Sequence, residues 1–425
     1  MRVLHVSPRY YPFIGGSELY CQQISERLVR DGHQVSVFTT DAWDLEYFWD
    51  PAKKHLATGT EVHNGVEVRR FAVRHVLANR FSFAVIRLGM RLLAAPPVDT
   101  RPVLFRLCRW QPWVPELYRE LTSGAPGSYD LVHVTNMPFD ALVYGAYLFA
   151  RRNGIPLVIT PFLHLGEPAD ETVRRYYTMP HQMTMLRESQ RVLVQTDLER
   201  NYLLSRGLSE ERVQKVGVGI DPAELDGGLG ERFRSKYQVL VDAPIVFTIG
   251  AQAYDKGSVH LVEAMRRLWE QGCDAHLVLA GPVMGDFETY FRSLPEPVRA
   301  RCHLLGFISE EDKRDLLDAG DVFAMPSRTD SFGIVYLEAW WYHKPVIGAR
   351  AGGVPDVIDD GRDGYLVPFG DVARLAEAIG ALLADRAKAR KFGESGHQKV
   401  ARQYTWESKY ASIKAIYQDL SKRPA

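Results

Sequence analysis

Short apolar runs alternate with amphipathic stretches along most of this chain. Val3–Val6 and Val35–Thr39 have the length and composition of buried strands, and apolar residues between them recur every three to four positions. A loop rich in Pro and Gly, residues 7–16, follows the first run, and we expect Ser17 to cap the helix and Gly32 to end it. This order of strand, loop, helix and strand predicts a βαβ unit in a parallel sheet.

The alternation returns after residue 125 and continues through the second half of the chain. The further predicted strands are Leu131–Val134, Pro156–Thr160, Arg191–Val194, Ile245–Ile249, His276–Ala280, Cys302–Leu305, Val322–Met325, Pro345–Gly348 and Gly364–Val367. They predict an α/β protein with two doubly wound parallel sheets in tandem, connected near residues 217–230. We expect a first domain at 1–217 and a second at 218–403.

Composition narrows the class of protein. Lys+Arg and Asp+Glu both number 52 in 425 residues, and this zero net charge argues against a general nucleic-acid binder. The four cysteines (Cys21, Cys108, Cys273 and Cys302) have no zinc-like spacing, which is typical of reduced thiols in a cytosolic protein. The sequence shows no secretory signal pattern and no apolar run of about 18 residues. We therefore expect a cytoplasmic protein.

Two glycine-containing loops after predicted strands are candidates for binding a phosphate. Gly15-Gly16 would let backbone N–H groups approach an anion at a helix N-terminus, although such a pair is often just a turn. Lys256-Gly257 also lies between a predicted strand and a predicted helix. Because a lysine at a helix start opposes the helix dipole, Lys256 indicates a bound anion, and the alternative is a solvated surface lysine.

A third loop, Pro326–Gly333, carries a pair of acids around a predicted helix start. Asp330 lies on the loop and Glu338 lies eight positions later on the helix. The two carboxylates could accept hydrogen bonds from vicinal hydroxyls at opposite ends of one ligand, such as the hexose and the ribose of a nucleotide sugar. Two solvated acids are the alternative for such a pair on its own.

The stretch from Asp330 to Glu338 resembles the E-x7-E signature of the retaining glycosyltransferases of family 4, which have the GT-B fold. The resemblance implies two Rossmann-like doubly wound parallel-sheet domains that face each other across a cleft. It implies that Asp330 binds the donor sugar and Glu338 the ribose, and Phe332-Gly333 match the aromatic-Gly pair inside the signature. Backbone N–H groups of Phe332, Gly333 and Ile334 would then face the donor.

Other motifs of the family occur in order along the chain. They are Gly15-Gly16, Gly219–Asp221, Lys256-Gly257, Leu279–Pro282, Leu305–Ile308, Gly352–Asp356 and Gly361–Leu366. The resemblance implies that Lys256 holds the diphosphate and that Phe307 lies by the base. It also implies that residues 404–425 form a C-terminal helix that crosses back to the first domain.

Two histidines of the first domain are interpreted differently. The resemblance implies that His164, after the strand Pro156–Thr160, lies near the reactive carbon of the donor sugar, whereas an ordinary loop histidine is the alternative. His133 lies within a predicted strand, and we expect it to be buried structure. Lys256, Asp330 and His164 are therefore the predicted catalytic residues. The predicted donor-binding residues are Gly15, Gly16, Lys256, Phe307, Asp330, Phe332, Gly333, Ile334 and Glu338.

The chain departs from the family pattern at a few positions. Ala251 follows Gly250 where the family usually has arginine, so one of the two cations that stabilise the departing diphosphate is missing. Arg328 or Arg350 could substitute for it. Asp330 and Asp356 each replace the usual glutamate.

Residues 69–119 interrupt the predicted alternation with an excess of arginine. Ten arginines stand against two acids, Asp99 and Glu116, with aromatic residues among them. One interpretation is an element that binds an anionic, lipid-linked acceptor or lies on the inner face of a membrane. The other is an amphipathic helical excursion with solvated arginines.

The resemblance implies a retaining hexosyltransferase that moves a sugar from a UDP- or GDP-sugar to a saccharide or lipid-linked acceptor of cell-envelope or polysaccharide synthesis. Because no D-x-D pair lies on a suitable loop, we predict no metal, and the nucleotide sugar is a substrate, so no cofactor is expected. A sugar-nucleotide epimerase or glycan phosphorylase on the same fold is one alternative. A catalytically silent scaffold, suggested by Ala251, is the other.

Overall fold

The structure is a computed structural model that describes residues 1–13, 15–75, 80–123, 129–165, 175–239 and 242–422. Residues 76–79 of the arginine-rich segment and 423–425 of the predicted C-terminal helix lie outside the described residues. The described residues form two compact units. The first takes residues up to 165, from 175 to 216 and from 410 to 422, and the second takes 217–409.

The first unit is built on an eight-stranded sheet. Its strands are β1 (Arg2–Val6), β2 (Gln34–Thr40), β3 (Gly59–His63), β4 (Val66–Phe71), β5 (Leu131–Thr135), β6 (Leu157–Thr160), β7 (Arg191–Val194) and β8 (Val213–Lys215). Their order across the sheet is β3-β4-β2-β1-β5-β6-β7-β8, and all pairs are parallel except β3 with β4. The strand order therefore runs outward in opposite directions from β1 and β5, and the point between these two strands is the switch point of a doubly wound sheet.

Three of these strands are missing from the sequence prediction. The antiparallel hairpin of β3 and β4 lies at one edge, with β3 mostly exposed and β4 alternating between buried and more exposed positions. β8 has only three residues, at the other edge. Edge strands are less apolar than central ones, so the buried runs that identified the central strands do not occur here.

Helices cover this sheet and also form the arginine-rich segment. They are α1 (Gly16–Arg30), α2 (Arg80–Ala94), α3 (Arg101–Leu107), α4 (Pro115–Ser123), α5 (Asp140–Asn153), α6 (Pro180–Glu188) and α7 (Asp197–Ser205), with a 3-10 turn at Leu45–Phe48. The expectation that Ser17 caps α1 is wrong, because the helix begins at Gly16 and its N-cap is Gly15. Ser17 lies in the first turn, where its hydroxyl donates to Glu18 at 2.9 Å.

The second unit has a six-stranded sheet in which every pair is parallel. Its strands are β9 (Ile245–Ile249), β10 (His276–Ala280), β11 (Cys302–Gly306), β12 (Val322–Met325), β13 (Val346–Ala349) and β14 (Gly364–Val367). Their order is β11-β10-β9-β12-β13-β14, so the switch point lies between β9 and β12. All six strands were predicted, and the prediction of two doubly wound sheets in tandem is confirmed.

The remaining helices flank this sheet and lead back to the first unit. They are α8 (Pro222–Leu225), α9 (Gly230–Tyr237), α10 (Ser258–Glu270), α11 (Gly285–Ser293), α12 (Glu296–Arg299), α13 (Glu310–Ala319), α14 (Ile334–Trp341), α15 (Val372–Ala384), α16 (Arg386–Gln403) and α17 (Trp406–Lys422), with a 3-10 turn at Val354–Asp356. The segment 410–422 of α17 belongs to the first unit.

Tyr417 fastens α17 to the sheet of the first unit. Its hydroxyl is hydrogen-bonded to His133 of β5 and, at 3.2 Å, to Nε2 of His5 on β1. His133 is also hydrogen-bonded, through Nε2, to the hydroxyl of Thr160 at 2.8 Å. Because both imidazoles and the phenol are buried, the expectation that His133 is a buried structural residue is confirmed.

Candidate functional site

The loops after β9 and β12 meet at the switch point of the second unit. In sheets of this order, ligands bind outside the carboxyl ends of the strands at this point, because the flanking loops diverge there and leave a crevice. Lys256 lies on the loop after β9 and Asp330 lies on the loop after β12. The fold therefore brings together two predicted residues that are 74 positions apart in the sequence.

The two loops approach each other closely at Gly257. Gly257 is the N-cap of α10 and has a φ of 79°, in the left-handed region. A Cβ atom placed there would lie 2.3 Å from the carbonyl oxygen of Pro326 on the opposite loop. Only glycine meets both demands, so this residue allows Lys256 to lie beside the β12 loop at a helix N-terminus.

An ion pair joins the predicted lysine and the first predicted acid. Nζ of Lys256 donates to both carboxylate oxygens of Asp330 at 3.0 Å. The side chains keep 29% and 17% of their exposed area, so solvent still reaches the pair. A second cross-link lies next to it, since Nε of Arg328 donates to Asp255 at 2.8 Å. Arg328 therefore belongs to the same loop pair as Lys256.

The second loop leads into α14 through Phe332 and Gly333. Gly333 is the N-cap of α14, and Ile334 is its first residue. The buried ring of Phe332 packs edge-on against Tyr404, with 5.7 Å between the ring centroids. The loop is thus fixed by packing while the first turn of α14 retains the positive end of its dipole.

Glu338 lies one turn inside α14, and only one of its two carboxylate oxygens accepts a hydrogen bond from the described residues. Its Oε1 accepts from Nζ of Lys313 at 3.2 Å. Its Oε2 is buried and has no hydrogen-bond partner in the part of the chain that the structure describes. Burial opposes the charge of Lys313, but the carboxylates of Glu338 and Glu310 outweigh it and raise the pKa of Lys313. Glu338 therefore has a cation behind it and a free acceptor in front.

The side chains of two other predicted participants, Arg350 and Phe307, make no hydrogen bond, ion pair or ring contact with Lys256, Asp330 or Glu338 among the described residues. Arg350 donates to Asp360 at 2.7 Å and to the carbonyl of Leu366 at 3.3 Å, so it secures the segment before β14. Phe307 follows β11 and is 83% exposed. Of the two arginines proposed to replace the one missing at Ala251, Arg328 is therefore the one on the loops of Lys256 and Asp330.

The glycine pair of the first unit lies at the corresponding switch point, after β1. The carboxylate of Glu18 sits at the start of α1, where it accepts from Nε of Arg9 at 2.9 Å. A Cβ atom on Gly15 would lie 2.5 Å from Oε2 of Glu18 and 2.8 Å from the ring of Phe13. Gly15 therefore leaves room for the close approach of these side chains, and a carboxylate of the chain itself lies at the positive end of α1.

His164 belongs to the first unit, together with Gly15 and Gly16. It is exposed after β6 and its ring contacts Tyr177 edge-on at 5.5 Å. The structure thus places Lys256, Asp330, Phe332, Gly333, Ile334 and Glu338 on the two loops and one helix of the second unit. The sequence prediction missed Lys313, Arg9 and Glu18. An acid in the first turn after a glycine pair is a signal for Glu18 alone.

The described ranges contain neither a metal-binding cluster nor a helix that could span a membrane. No group of three or more His, Cys, Asp or Glu side chains there is arranged to hold a metal ion. No helix in these ranges combines the length and the apolar character needed to cross a bilayer. The four cysteines are free thiols.

Comparisons with known proteins extend over most of the chain. A profile described as "Glycosyl transferase 4-like domain" matches residues 15–219, and one described as "Glycosyl transferases group 1" matches residues 231–399. The alpha-D-kanosaminyltransferase of Streptomyces kanamyceticus is 27% identical over 66% of this chain and 75% of its own length.

Solved structures show the same fold. Sucrose-phosphate synthase from Thermosynechococcus elongatus superimposes with a TM-score of 0.71 at 21% identity, over 99% of both chains. Anabaena Alr3699/HepE, solved in complex with UDP and glucose, gives 0.68 at 18% identity, over 99% of this chain and 100% of that one.

Proposed function

Because the chain belongs to the family 4 glycosyltransferases of the GT-B fold, we propose that it transfers a hexose from a UDP- or GDP-sugar to a saccharide or lipid-linked acceptor. The transfer proceeds with retention at the anomeric carbon and without a metal ion. The complex of Anabaena Alr3699/HepE with UDP and glucose supports UDP as the first nucleotide to test.

The observation that carries the proposal is the ion pair of Lys256 with Asp330 at the switch point of the second unit. A donor brings a diphosphate for the lysine and sugar hydroxyls for the aspartate, so it can replace the internal pair with two better-matched contacts. Because the side chains remain partly exposed, this exchange costs little desolvation.

Glu338 binds the ribose of the donor in this proposal. Its buried Oε2 has no partner among the described residues, and a buried acceptor without a hydrogen bond is unfavourable. A ribose hydroxyl that donates to Oε2 removes this cost. Lys313 orients the carboxylate through its hydrogen bond to Oε1.

Retention follows from attack on the face that the diphosphate leaves. A double displacement needs a carboxylate nucleophile about 5 Å from a second carboxylate. The mechanism proposed here uses no such nucleophile. His164, exposed after β6, supplies an imidazole that orients the sugar or the acceptor. Lys256 and the N-termini of α10 and α14 stabilise the charge that develops on the leaving diphosphate, so the chemistry requires no metal.

The proposal is tested with a panel of UDP-, GDP- and ADP-sugars. A donor that binds the native protein raises its melting temperature, and transfer then releases the nucleoside diphosphate together with a glycosidic product. We expect both signals with one UDP- or GDP-sugar, unchanged by a chelator, and a product with the anomeric configuration of the donor.

Other outcomes of this panel separate the alternatives. Interconversion of the sugar nucleotide without transfer indicates an epimerase. Tight donor binding without turnover toward any acceptor indicates a silent scaffold. Failure of every sugar nucleotide to shift the melting temperature would refute the donor assignment.

A further inference from the structure

The arginine-rich segment of the first unit encloses a pocket that the proposed donor site does not use. It has a volume of about 490 Å³ and lies between the end of α3 and the outer side of α4. This is a size in which proteins bind small molecules. Arg106, Arg109, Arg119, Trp110, Trp113 and Tyr118 line it.

The three arginines of this pocket have no carboxylate at ion-pair distance within the described ranges. Their neighbours in the segment behave differently, since Arg74 pairs with Glu116 at 3.1 Å and Arg69 pairs with Glu120 at 2.8 Å. Three guanidinium groups around one cavity repel each other and attract an anion. A planar guanidinium also matches the oxygens of a phosphate in a bidentate way.

Aromatic rings form the other wall of the pocket. Trp110 and Trp113 lie with 5.0 Å between their ring centroids, and Trp110 is 39% exposed. Arg109 lies over the ring of Tyr118 at 5.7 Å. Indole faces of this kind pack against the C–H face of a sugar ring, so the wall adds a surface for a ring beside the site for an anion.

The aromatic wall is held rigidly at the carboxyl end of the sheet. The backbone of Trp113 accepts from Arg74, three residues after β4, at 2.8 Å. The backbone of Gln111 accepts from Ala141, in the first turn of α5 after β5, at 3.0 Å. The pocket therefore begins at the same edge of the sheet as the loop after β1, and its wall needs little rearrangement to bind.

We propose that this pocket binds the phosphate of a phosphorylated saccharide, with the three arginines on the phosphate and Trp110 against the sugar ring. The inference rests on the proposed function, because such a ligand would be its acceptor. A soluble sugar phosphate and a phosphate-bearing lipid headgroup share this chemistry, and the test separates them.

Calorimetric titration with glucose 6-phosphate, glucose and inorganic phosphate tests the soluble source. Co-sedimentation with phosphatidylcholine vesicles that contain or lack phosphatidic acid tests the lipid source. We expect glucose 6-phosphate to bind more tightly than inorganic phosphate, and glucose not to bind. Binding only to the vesicles with phosphatidic acid assigns the phosphate to a lipid.

Variants assign the binding to the pocket. We expect Arg106→Gln/Arg109→Gln/Arg119→Gln to weaken binding of the phosphorylated probe by about tenfold or more. The control Arg2→Gln/Arg30→Gln/Arg151→Gln removes the same charge from exposed positions of the same unit and should retain wild-type binding. Trp110→Leu should weaken binding of glucose 6-phosphate while leaving that of inorganic phosphate unchanged.

Three results would overturn the proposal: no binding of any phosphorylated probe by the wild type, equal binding by the pocket variant, or an equal loss in the control variant. The melting-temperature shift with UDP is measured on the same samples. If that shift is absent while the pocket still binds phosphate, the donor assignment fails and the pocket does not. If the shift is normal and phosphate does not bind, the pocket fails alone.

Discussion

The helix N-termini at the switch points of the two sheets, those of α1 and α10, each have a carboxylate near their positive end, but the carboxylate comes from a different part of the chain in each. Each begins with a glycine after the first strand of its switch point and each has a carboxylate paired with a cation nearby. At α1 the carboxylate is that of Glu18, in the first turn of the helix itself. At α10 it is that of Asp330, from a loop 74 residues away from Lys256.

The burial of the two ion pairs shows which one can be exchanged for a ligand. The side chains of Arg9 and Glu18 keep only 11% and 4% of their exposed area, against 29% and 17% for Lys256 and Asp330. Breaking a buried pair leaves an uncompensated charge, whereas a partly exposed pair can separate at little cost. The first pair thus maintains structure, and the second is available to a donor.

The largest effect is expected at the exchangeable pair. Lys256→Met removes the cation that stabilises the leaving diphosphate, and we expect kcat to fall about 100- to 1,000-fold, or about 3 to 4 kcal/mol. The melting temperature should change little, because a partly exposed ion pair contributes about 0 to 1 kcal/mol. Steady-state kinetics and thermal unfolding measure the two quantities separately.

The control for this change is Lys236→Met. Lys236 is an exposed lysine of the same unit that pairs with Asp312 at 2.6 Å. It should retain wild-type turnover. A similar loss in both variants, or full activity of Lys256→Met, would show that the lysine after β9 has no special role.

The next effect concerns donor binding through the unpartnered oxygen of Glu338. Glu338→Gln keeps the shape but weakens the acceptor and its pairing with Lys313, so we expect a tenfold to hundredfold loss of donor affinity, or about 1.4 to 2.8 kcal/mol. Titration with the donor identified in the panel measures it. The exposed Glu296→Gln, on α12, should bind the donor normally.

An unchanged affinity for Glu338→Gln would mean that its free oxygen does not face the ribose. Lys313→Met adds a second measurement, because it removes the cation behind the carboxylate without touching the free oxygen. We expect it to weaken donor binding less than Glu338→Gln does.

How much of this site the sequence predicts depends on how far apart the partners lie. Lys256, Asp330 and Glu338 could be found because each lies in a short motif at the end of an apolar strand. Lys313 could not be found, since its partner is 25 positions away and nothing local to α13 indicates a partly buried cation. Arg9 was missed for the same reason, because its contact with Glu18 depends on how the loop after β1 folds back onto the start of α1.

The two units should also differ in their response to acid. Burial lowers the pKa of His5 to about 3, and the pKa of His133 is lowered well below its usual value. Both imidazoles are therefore neutral in the folded unit but take up a proton on unfolding below pH ~6.5. Their contribution to stability is complete above pH ~6.5 and is lost as the pH falls toward the folded pKa.

For His5 alone, this linkage predicts that the free energy of unfolding falls by about 2 kcal/mol between pH ~6.5 and ~5. Amide hydrogen exchange at the two pH values, corrected for the intrinsic rates, reports it strand by strand. We expect β1 and β5 to lose more protection than β9 and β12. In His133→Gln the pH dependence of the first unit should be reduced, and an equal loss of protection in all four strands would refute the assignment.

The fold was predictable in the interior of the sheets and less so at their edges. Buried runs such as Ile245–Ile249 identified the central strands of both units. β3 escaped because Gly59–His63 is mostly exposed and its pairing depends on the antiparallel turn to β4. The expectation that Ser17 caps α1 was wrong because the helix begins at Gly16, and the Ser17 hydroxyl donates to the carboxylate of Glu18 instead of capping the helix.

The smallest effect is expected when the structural pair is neutralised. Glu18→Gln keeps the size of the side chain but removes the charge at the N-terminus of α1 and its pairing with Arg9, so we expect a loss of about 1 to 2 kcal/mol in the free energy of unfolding. Glu210→Gln, at an exposed position of the same unit, should be neutral in the same denaturant titration. The donor affinity of Glu18→Gln should stay at the wild-type value, because the donor replaces only the pair at α10. A fall in affinity as large as that of Glu338→Gln, with stability unchanged, would mean that the N-terminus of α1 also holds the ligand.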